Sequence, residues 1–189
     1  MYFKFNKKGI KNGFTLVEAL VAISILMVAV VTPMTIAQKG LGSANYSKDQ
    51  MTAAFLAQDA LEFIKNQRDE IGVTYDYSAE GDPPDWLTSK MGADCFSSGC
   101  GVDTVNNTYE GSDKLLNIYR KDGKFFYYGY EALNTSLTSE VSKFIRNIKI
   151  EKTANLDEAL IAVTVKWQGA NGEEKVEVKN FIYNYWENI

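Results

Sequence analysis

Glu18 is the only ionisable residue between Phe14 and Ala37; every other residue there is apolar, small or hydroxyl-bearing. A carboxylate in such a run costs roughly a few kcal/mol in lipid unless a cation or the membrane interface satisfies it. The pattern therefore asks for a positive partner, and a mere anchor gives no reason to keep the acid. Elsewhere the chemically capable residues are few. Cys95 and Cys100 are the only cysteines, separated by Phe96-Ser97-Ser98-Gly99. Outside a reducing compartment an even pair in a loop reads as a disulfide. The redox alternative lacks the Cys-x-x-Cys spacing and any basic neighbour to lower a thiol pKa. Asp82, Asp85, Asp94 and Asp103 are the candidates for calcium, but they lack the alternating spacing of a dedicated loop. They read as turn-forming and solvated carboxylates, so no metal is expected. The chain has no histidine. That removes His-activated nucleophiles, His-ligated zinc and His general bases together, and neither a catalytic residue nor a cofactor is expected.

The elements that must position these residues begin with a leader, 1–13. Lys4, Lys7, Lys8 and Lys11 precede Gly13 with no acidic residue among them, which places this end on the cytoplasmic side. The 24 residues from Phe14 to Ala37 span about 36 Å as a helix, enough for a bilayer core of about 30 Å. Pro33 removes one helical hydrogen bond and crowds the turn before it, predicting a kink, and Gly40 and Gly42 extend the weak zone. The second half of the helix, 38–69, carries a stripe of Ala53, Leu56, Ala57, Ala60, Leu61 and Ile64 at three- and four-residue steps, a face for packing on a sheet. Glu62 and Lys65 on the other side are spaced for an i,i+3 pair. A secretory signal peptide cut near Thr35-Ile36-Ala37 is the competing reading. The apolar run is too long for it, and Glu18 would have no purpose. A plain single-pass anchor is the other.

Residues 70–114 are rich in Gly, Asp, Ser, Asn and Pro, with Gly81-Asp82-Pro83-Pro84-Asp85 as the clearest breaker. They read as a long connection with little regular structure, pinned by Cys95 and Cys100. From 115 to 189 strand signals dominate. Leu115–Tyr119 and Lys124–Tyr130 flank Asp122-Gly123, a hairpin signature. Ser142–Glu151 puts Phe144, Ile148 and Ile150 on one face, and Ala159, Ile161, Val163, Val165 and Trp167 alternate in the next strand. Lys175–Trp186 forms the last, with Val176, Val178 and Ile182 opposite Phe181, Tyr183 and Tyr185. The aromatics Phe125-Phe126-Tyr127-Tyr128 and Tyr183-Tyr185-Trp186 read as core and cross-strand pairs rather than as a stacking surface for sugars or bases. The basic series Lys143, Arg146, Lys149, Lys152 splits between two strand faces and makes no stripe for nucleic acid. The expected fold is α+β: a long N-terminal helix, half transmembrane, packed on an antiparallel sheet.

Gly13-Phe14-Thr15-Leu16-Val17-Glu18 behind a short basic leader resembles the prepilin-type N-terminus of type IV pilins and type II secretion pseudopilins. The resemblance implies cleavage between Gly13 and Phe14 by a prepilin peptidase, N-methylation of Phe14, and assembly through the apolar helix. It assigns Glu18 a role in assembly and register, facing the terminal amine of a neighbouring subunit. It implies other pilin or pseudopilin subunits, an inner-membrane assembly platform and the membrane itself as partners, with the head outside the cytoplasm of a bacterial cell. Phe55–Glu62 and Ile64–Asp69 are also similar to the corresponding helix of minor pilin-like proteins, which points to a minor subunit.

The formal charge is −4, and loss of the four leader lysines takes it to −8. An acidic surface disfavours general binding to nucleic acid or anionic lipid. A structural filament subunit is the reading that follows, with a tip-displayed adhesin or ligand-binding subunit, or a DNA-uptake pseudopilin, as alternatives. A tethered enzyme finds no support in any nucleophile or carboxylate-pair motif.

Overall fold

The computed structural model describes residues 13–74, 85–155, 157–170 and 172–184. The leader lysines, Asp82 and the rest of the breaker before Asp85, Asn171, Tyr185 and Trp186 lie outside the described residues. The chain divides into two compact units, one ending at Asn45 and one running from Tyr46. One helix, α1 (Leu16–Thr74), passes through Pro33, Gly40 and Gly42 as continuous α-helix.

In the unit from Tyr46 the predicted stripe is the buried one. Ala53, Ala57, Ala60 and Ile64 are fully buried, with Leu56, Leu61 and Phe63 beside them. The small alanines bring the helix close to the sheet, and Leu56, Leu61 and Ile64 fill the space between. The helix continues five residues past the expected Asp69 because Ile71 and Gly72 prolong the same buried face, and Glu70 is paired with Lys90 at 2.5 Å. Glu62 and Lys65 form the expected i,i+3 pair at 3.2 Å.

Residues 70–114 hold more regular structure than their composition predicts. A 3-10 turn spans Ala93–Phe96, and β1 (Cys100–Asp103) and β2 (Thr108–Gly111) form an antiparallel hairpin. Its turn uses Asn107 at φ 57°, a left-handed position that asparagine tolerates. The remaining strands are β3 (Leu115–Lys121), β4 (Lys124–Gly129), β5 (Thr138–Lys152), β6 (Glu158–Gly169) and β7 (Gly172–Tyr183). Asp122 and Gly123, at φ 51° and 74°, make the tight turn between β3 and β4 that the Asp-Gly pair predicts.

All strand pairings are antiparallel. The long β5 is the spine. It pairs with β6 on one edge, and β3 and β1 share the other: Ile145 faces Leu115 and Lys166, while Ile148 faces Cys100 and Val163. β7 lies outside β6, β4 outside β3, and β2 outside β1. The predicted alternation in β6 is strict, with Ala159, Ile161, Val163, Val165 and Trp167 all buried against α1.

One sequence expectation is corrected. Phe125 and Phe126 are exposed, not core; β4 is an edge strand, where Phe125 leans on Tyr128 at 5.2 Å and the cross-strand pair is Tyr127 stacked on Tyr119 at 4.7 Å. Arg146, in the basic series split between the two strand faces, takes the inner face. It falls on the Phe144–Ile148–Ile150 face of β5 and is fully buried.

Candidate functional site

The N-terminal unit is organised at its first turn. Thr15 Oγ1 accepts the backbone N–H of Glu18 at 3.2 Å, and the Thr15 carbonyl accepts the N–H of Ala19 at 3.1 Å. Thr15 therefore caps α1, and Thr15-x-x-Glu18 has the spacing of a capping box. Glu18 is the acidic residue of this first turn, where the helix dipole favours negative charge. Its side chain is exposed, as are Gly13 and Phe14. This local role for Glu18 was readable from the Ser/Thr-x-x-Glu signature, and it leaves the carboxylate free to meet a cation from another molecule.

Beyond this turn Leu20, Ile23, Ile25, Leu26, Val30 and Val31 are all exposed, on every side of the helix. The hydroxyls among them are not left open. Ser24, Thr32 and Thr35 donate to the carbonyls of Leu20, Val28 and Thr32 at 2.8, 2.9 and 2.8 Å. Such internal satisfaction is what a helix in lipid requires. α1 is long and apolar enough to cross a membrane. Pro33 contributes no N–H, so the Ala29 carbonyl loses its ordinary helical donor.

In the unit from Tyr46, Cys95 and Cys100 form the expected disulfide, with a Cα–Cα distance of 4.6 Å, and no cysteine is free. It joins the 3-10 turn to the start of β1. Gly99 between them has φ +93° and lies against the Asn147 side chain, leaving no room for a Cβ.

Two buried charges fix this loop to the sheet and helix. Arg146 donates to Asp59 Oδ2 at 2.8 Å, to the Leu56 carbonyl at 3.2 Å and to the Val102 carbonyl. One guanidinium thus ties β5 to α1 and to β1. Asp103 is fully buried. It accepts the backbone N–H groups of Val105, Asn106, Tyr130 and Glu131 at 2.7 to 3.2 Å, together with the Asn106 amide at 3.1 Å. Burial pushes the Asp103 pKa up, but these donors outweigh it and hold it below the ordinary carboxylate value. Burial also drives the Tyr109 and Tyr130 phenols up to about 12, so both are neutral packing groups.

Two of the calcium candidates, Asp85 and Asp103, are engaged in the chain's own turns. Asp103 binds backbone as above, and Asp85 accepts the N–H groups of Leu87 and Thr88 at 3.0 and 2.7 Å. Among the described residues no three acidic, histidine or cysteine side chains gather as a metal site. Sequence reasoning missed the buried tie made by Arg146, and it read Asp103 as turn-forming but solvated, whereas Asp103 is buried. The signal for Arg146 was its place in the apolar period of β5.

Residues 10–32 match the prokaryotic N-terminal methylation motif. No curated protein and no solved structure gives a match to the chain. The chain therefore bears the N-terminal motif of the type IV pilin and pseudopilin family on a pilin-like α+β architecture. The motif implies processing by a prepilin peptidase and assembly with other pilin-type subunits, and the apolar helix supports anchoring in the membrane. This is the signature of a structural subunit.

Proposed function

We propose that the protein is a structural subunit, a minor pilin or pseudopilin, of a type IV pilus-like envelope filament. The observation that carries the reading is the methylation motif over residues 10–32, within which we assign cleavage to the Gly13–Phe14 bond, methylation to Phe14 and assembly to Glu18. Cleavage after Gly13 removes the leader and frees an α-amine at Phe14, largely protonated at neutral pH. Glu18 lies four residues on, in the first turn of α1. In a bundle of staggered apolar helices, Glu18 of one subunit meets the Phe14 amine of the next. In low dielectric a carboxylate without a partner is costly, and a paired one fixes the register. Pro33 gives the helix a point at which to bend between membrane and filament.

The minor-subunit assignment is supported by the similarity of Phe55–Asp69 to the helices of minor pilin-like proteins, and subunit copy number in purified filaments tests it. The filament role is tested with Glu18→Ala. The variant should insert in the membrane and be cleaved as the parent is, yet be missing from sheared filaments. Equal incorporation of variant and parent would overturn the assignment of Glu18 to assembly.

A further inference from the structure

The tip of the β3–β4 hairpin joins exposed aromatic rings to exposed cations. Phe125 and Phe126, just after the Asp122-Gly123 turn, are 55% and 50% exposed. Lys121 and Lys124 flank the turn, and both are exposed. Arg120, and Lys48 of α1, stand with Phe125 along the groove between helix and hairpin. Against these cations the tip carries Asp122, and Glu140, which Arg120 reaches only at 3.7 Å. Asp49, the next acid on α1, is paired with Lys143. The chain as a whole is acidic, so this basic, aromatic end is a local exception.

The register shows where that end points. Lys143 of β5 pairs with Asp49, and Arg146 with Asp59 and the Leu56 carbonyl, so β5 runs in the same direction as α1. Arg120 pairs with Thr138, five residues before Lys143, or about 17 Å of strand at about 3.3 Å per residue. Tyr46 is only three residues before Asp49, about 4.5 Å of helix. The tip therefore projects past Tyr46, on the side from which the chain enters this unit. β5 pairs with β6 only from Phe144 onward, so Glu173 and Glu174 at the start of β7 stand back from the tip. Tyr46 follows Ala37, the end of the apolar run, by nine residues, at most about 32 Å of chain in any arrangement. The basic tip is thus tethered close to a membrane surface.

We propose that the tip docks on anionic phospholipid headgroups at the surface of the membrane that α1 enters. Lipid phosphates meet Arg120, Lys121, Lys124 and Lys48, while Phe125 and Phe126 enter the interface, where aromatic rings are favoured. Charge complementarity selects the phosphates, and the placement of the rings selects a surface over a ligand held in the groove. Phe125 lines the groove and Phe126 lies outside it. An occupant of the groove would leave Phe126 bare, whereas a surface met end-on takes both. The contact holds the head down beside its own anchor, and a subunit leaving the membrane must break it. The inference rests on membrane anchoring and not on cleavage or entry into a filament.

The test uses the full-length chain in vesicles of phosphatidylcholine, alone or mixed with phosphatidylglycerol. A photoreactive benzophenone analogue of phenylalanine replaces Phe126 or, as the control, Ala154, which is exposed at the far end of β5. After illumination, lipid adducts at each position are counted by peptide mass spectrometry. With phosphatidylglycerol present, adducts at position 126 should exceed those at position 154 about tenfold or more, because each cation near an anionic surface strengthens the contact roughly fivefold. Lys121→Glu with Lys124→Glu, at exposed sites beside the turn, should remove most of that excess, as should phosphatidylcholine alone. Lys48→Glu on α1, and about 0.5 M salt, should each lower it as well. Equal adducts at the two positions, or adducts at position 126 indifferent to phosphatidylglycerol or to the lysine reversals, overturn the proposal. Adducts from position 126 to protein instead of lipid overturn it too. Flotation with the vesicles reports anchoring separately. A chain that does not float overturns the anchoring on which the proposal rests, and one that floats without lipid adducts overturns the proposal alone. Glu18→Ala should leave the adducts unchanged, so loss of filament assembly and loss of this contact are separate results.

Discussion

Arg146 and Asp59 meet at 2.8 Å across the seam between β5 and α1, a fully buried guanidinium against a half-exposed carboxylate. The pair is asymmetric, and so are its expected mutational costs. Arg146 also holds the Leu56 and Val102 carbonyls, so Arg146→Ala loses three attachments and opens a cavity. It should cost about 3–5 kcal/mol in denaturant unfolding. Asp59→Asn keeps a hydrogen-bond acceptor at a half-wet site and should cost about 1 kcal/mol. Equal costs would place the stabilisation in the ion pair alone.

Asp103 makes the head acid-sensitive. Its pKa is lowered in the fold from an ordinary value of 3.8, so its contribution is fully present above about pH 4 and is lost as pH falls through the folded value. Asp103→Asn should destabilise the head at pH 7 by about 1–3 kcal/mol, because an amide group replaces one acceptor among N–H donors. The variant should also lose less stability than the parent between pH 4 and 2. Parallel pH profiles of parent and variant, from chemical denaturation, would contradict this account.

The Cys95–Cys100 bridge closes a short loop, so its removal should cost only about 2 kcal/mol by loop entropy. Both cysteines are buried. Thiol labelling of the exported, unreduced protein should therefore find neither reactive, and Cys95→Ser with Cys100→Ser should lower the melting temperature without abolishing the fold.

A fragment beginning near Ser43 keeps the stripe from Ala53 to Ile64 and the whole sheet. It should be soluble, show mixed helix and strand circular dichroism, and melt cooperatively. Ile64→Ala in that fragment should cost about 2–5 kcal/mol, since Ile64 is fully buried. A disordered fragment would show that the head needs the preceding helix in order to fold.

What the sequence revealed follows the reach of the forces involved. The helix stripe and the β6 alternation are local periodicities, and they were legible because burial alone decides them. The Asp122-Gly123 turn was legible for the same reason, since its residues carry the backbone preference themselves. The β1–β2 hairpin was not. Its strands are four residues each, too short for an alternating pattern to stand out among glycines and asparagines. The burial of Arg146 was not legible because its partners Leu56, Asp59 and Val102 are 90, 87 and 44 residues away. Only the fold brings them to one point. Phe125 and Phe126 were read with their neighbours as core and cross-strand pairs, whereas the edge position of β4 leaves both exposed.

The claim on which the account stands is that this chain is processed as a prepilin, and the intact mass of the mature protein recovered from membranes of cells with a prepilin peptidase tests it most directly. The account predicts a chain that begins at Phe14 and carries one added methyl group, with the precursor persisting when Gly13 is replaced by a bulky residue. A mature chain beginning after Ala37, or an uncut chain that retains Met1–Gly13 in the presence of the peptidase, would contradict it.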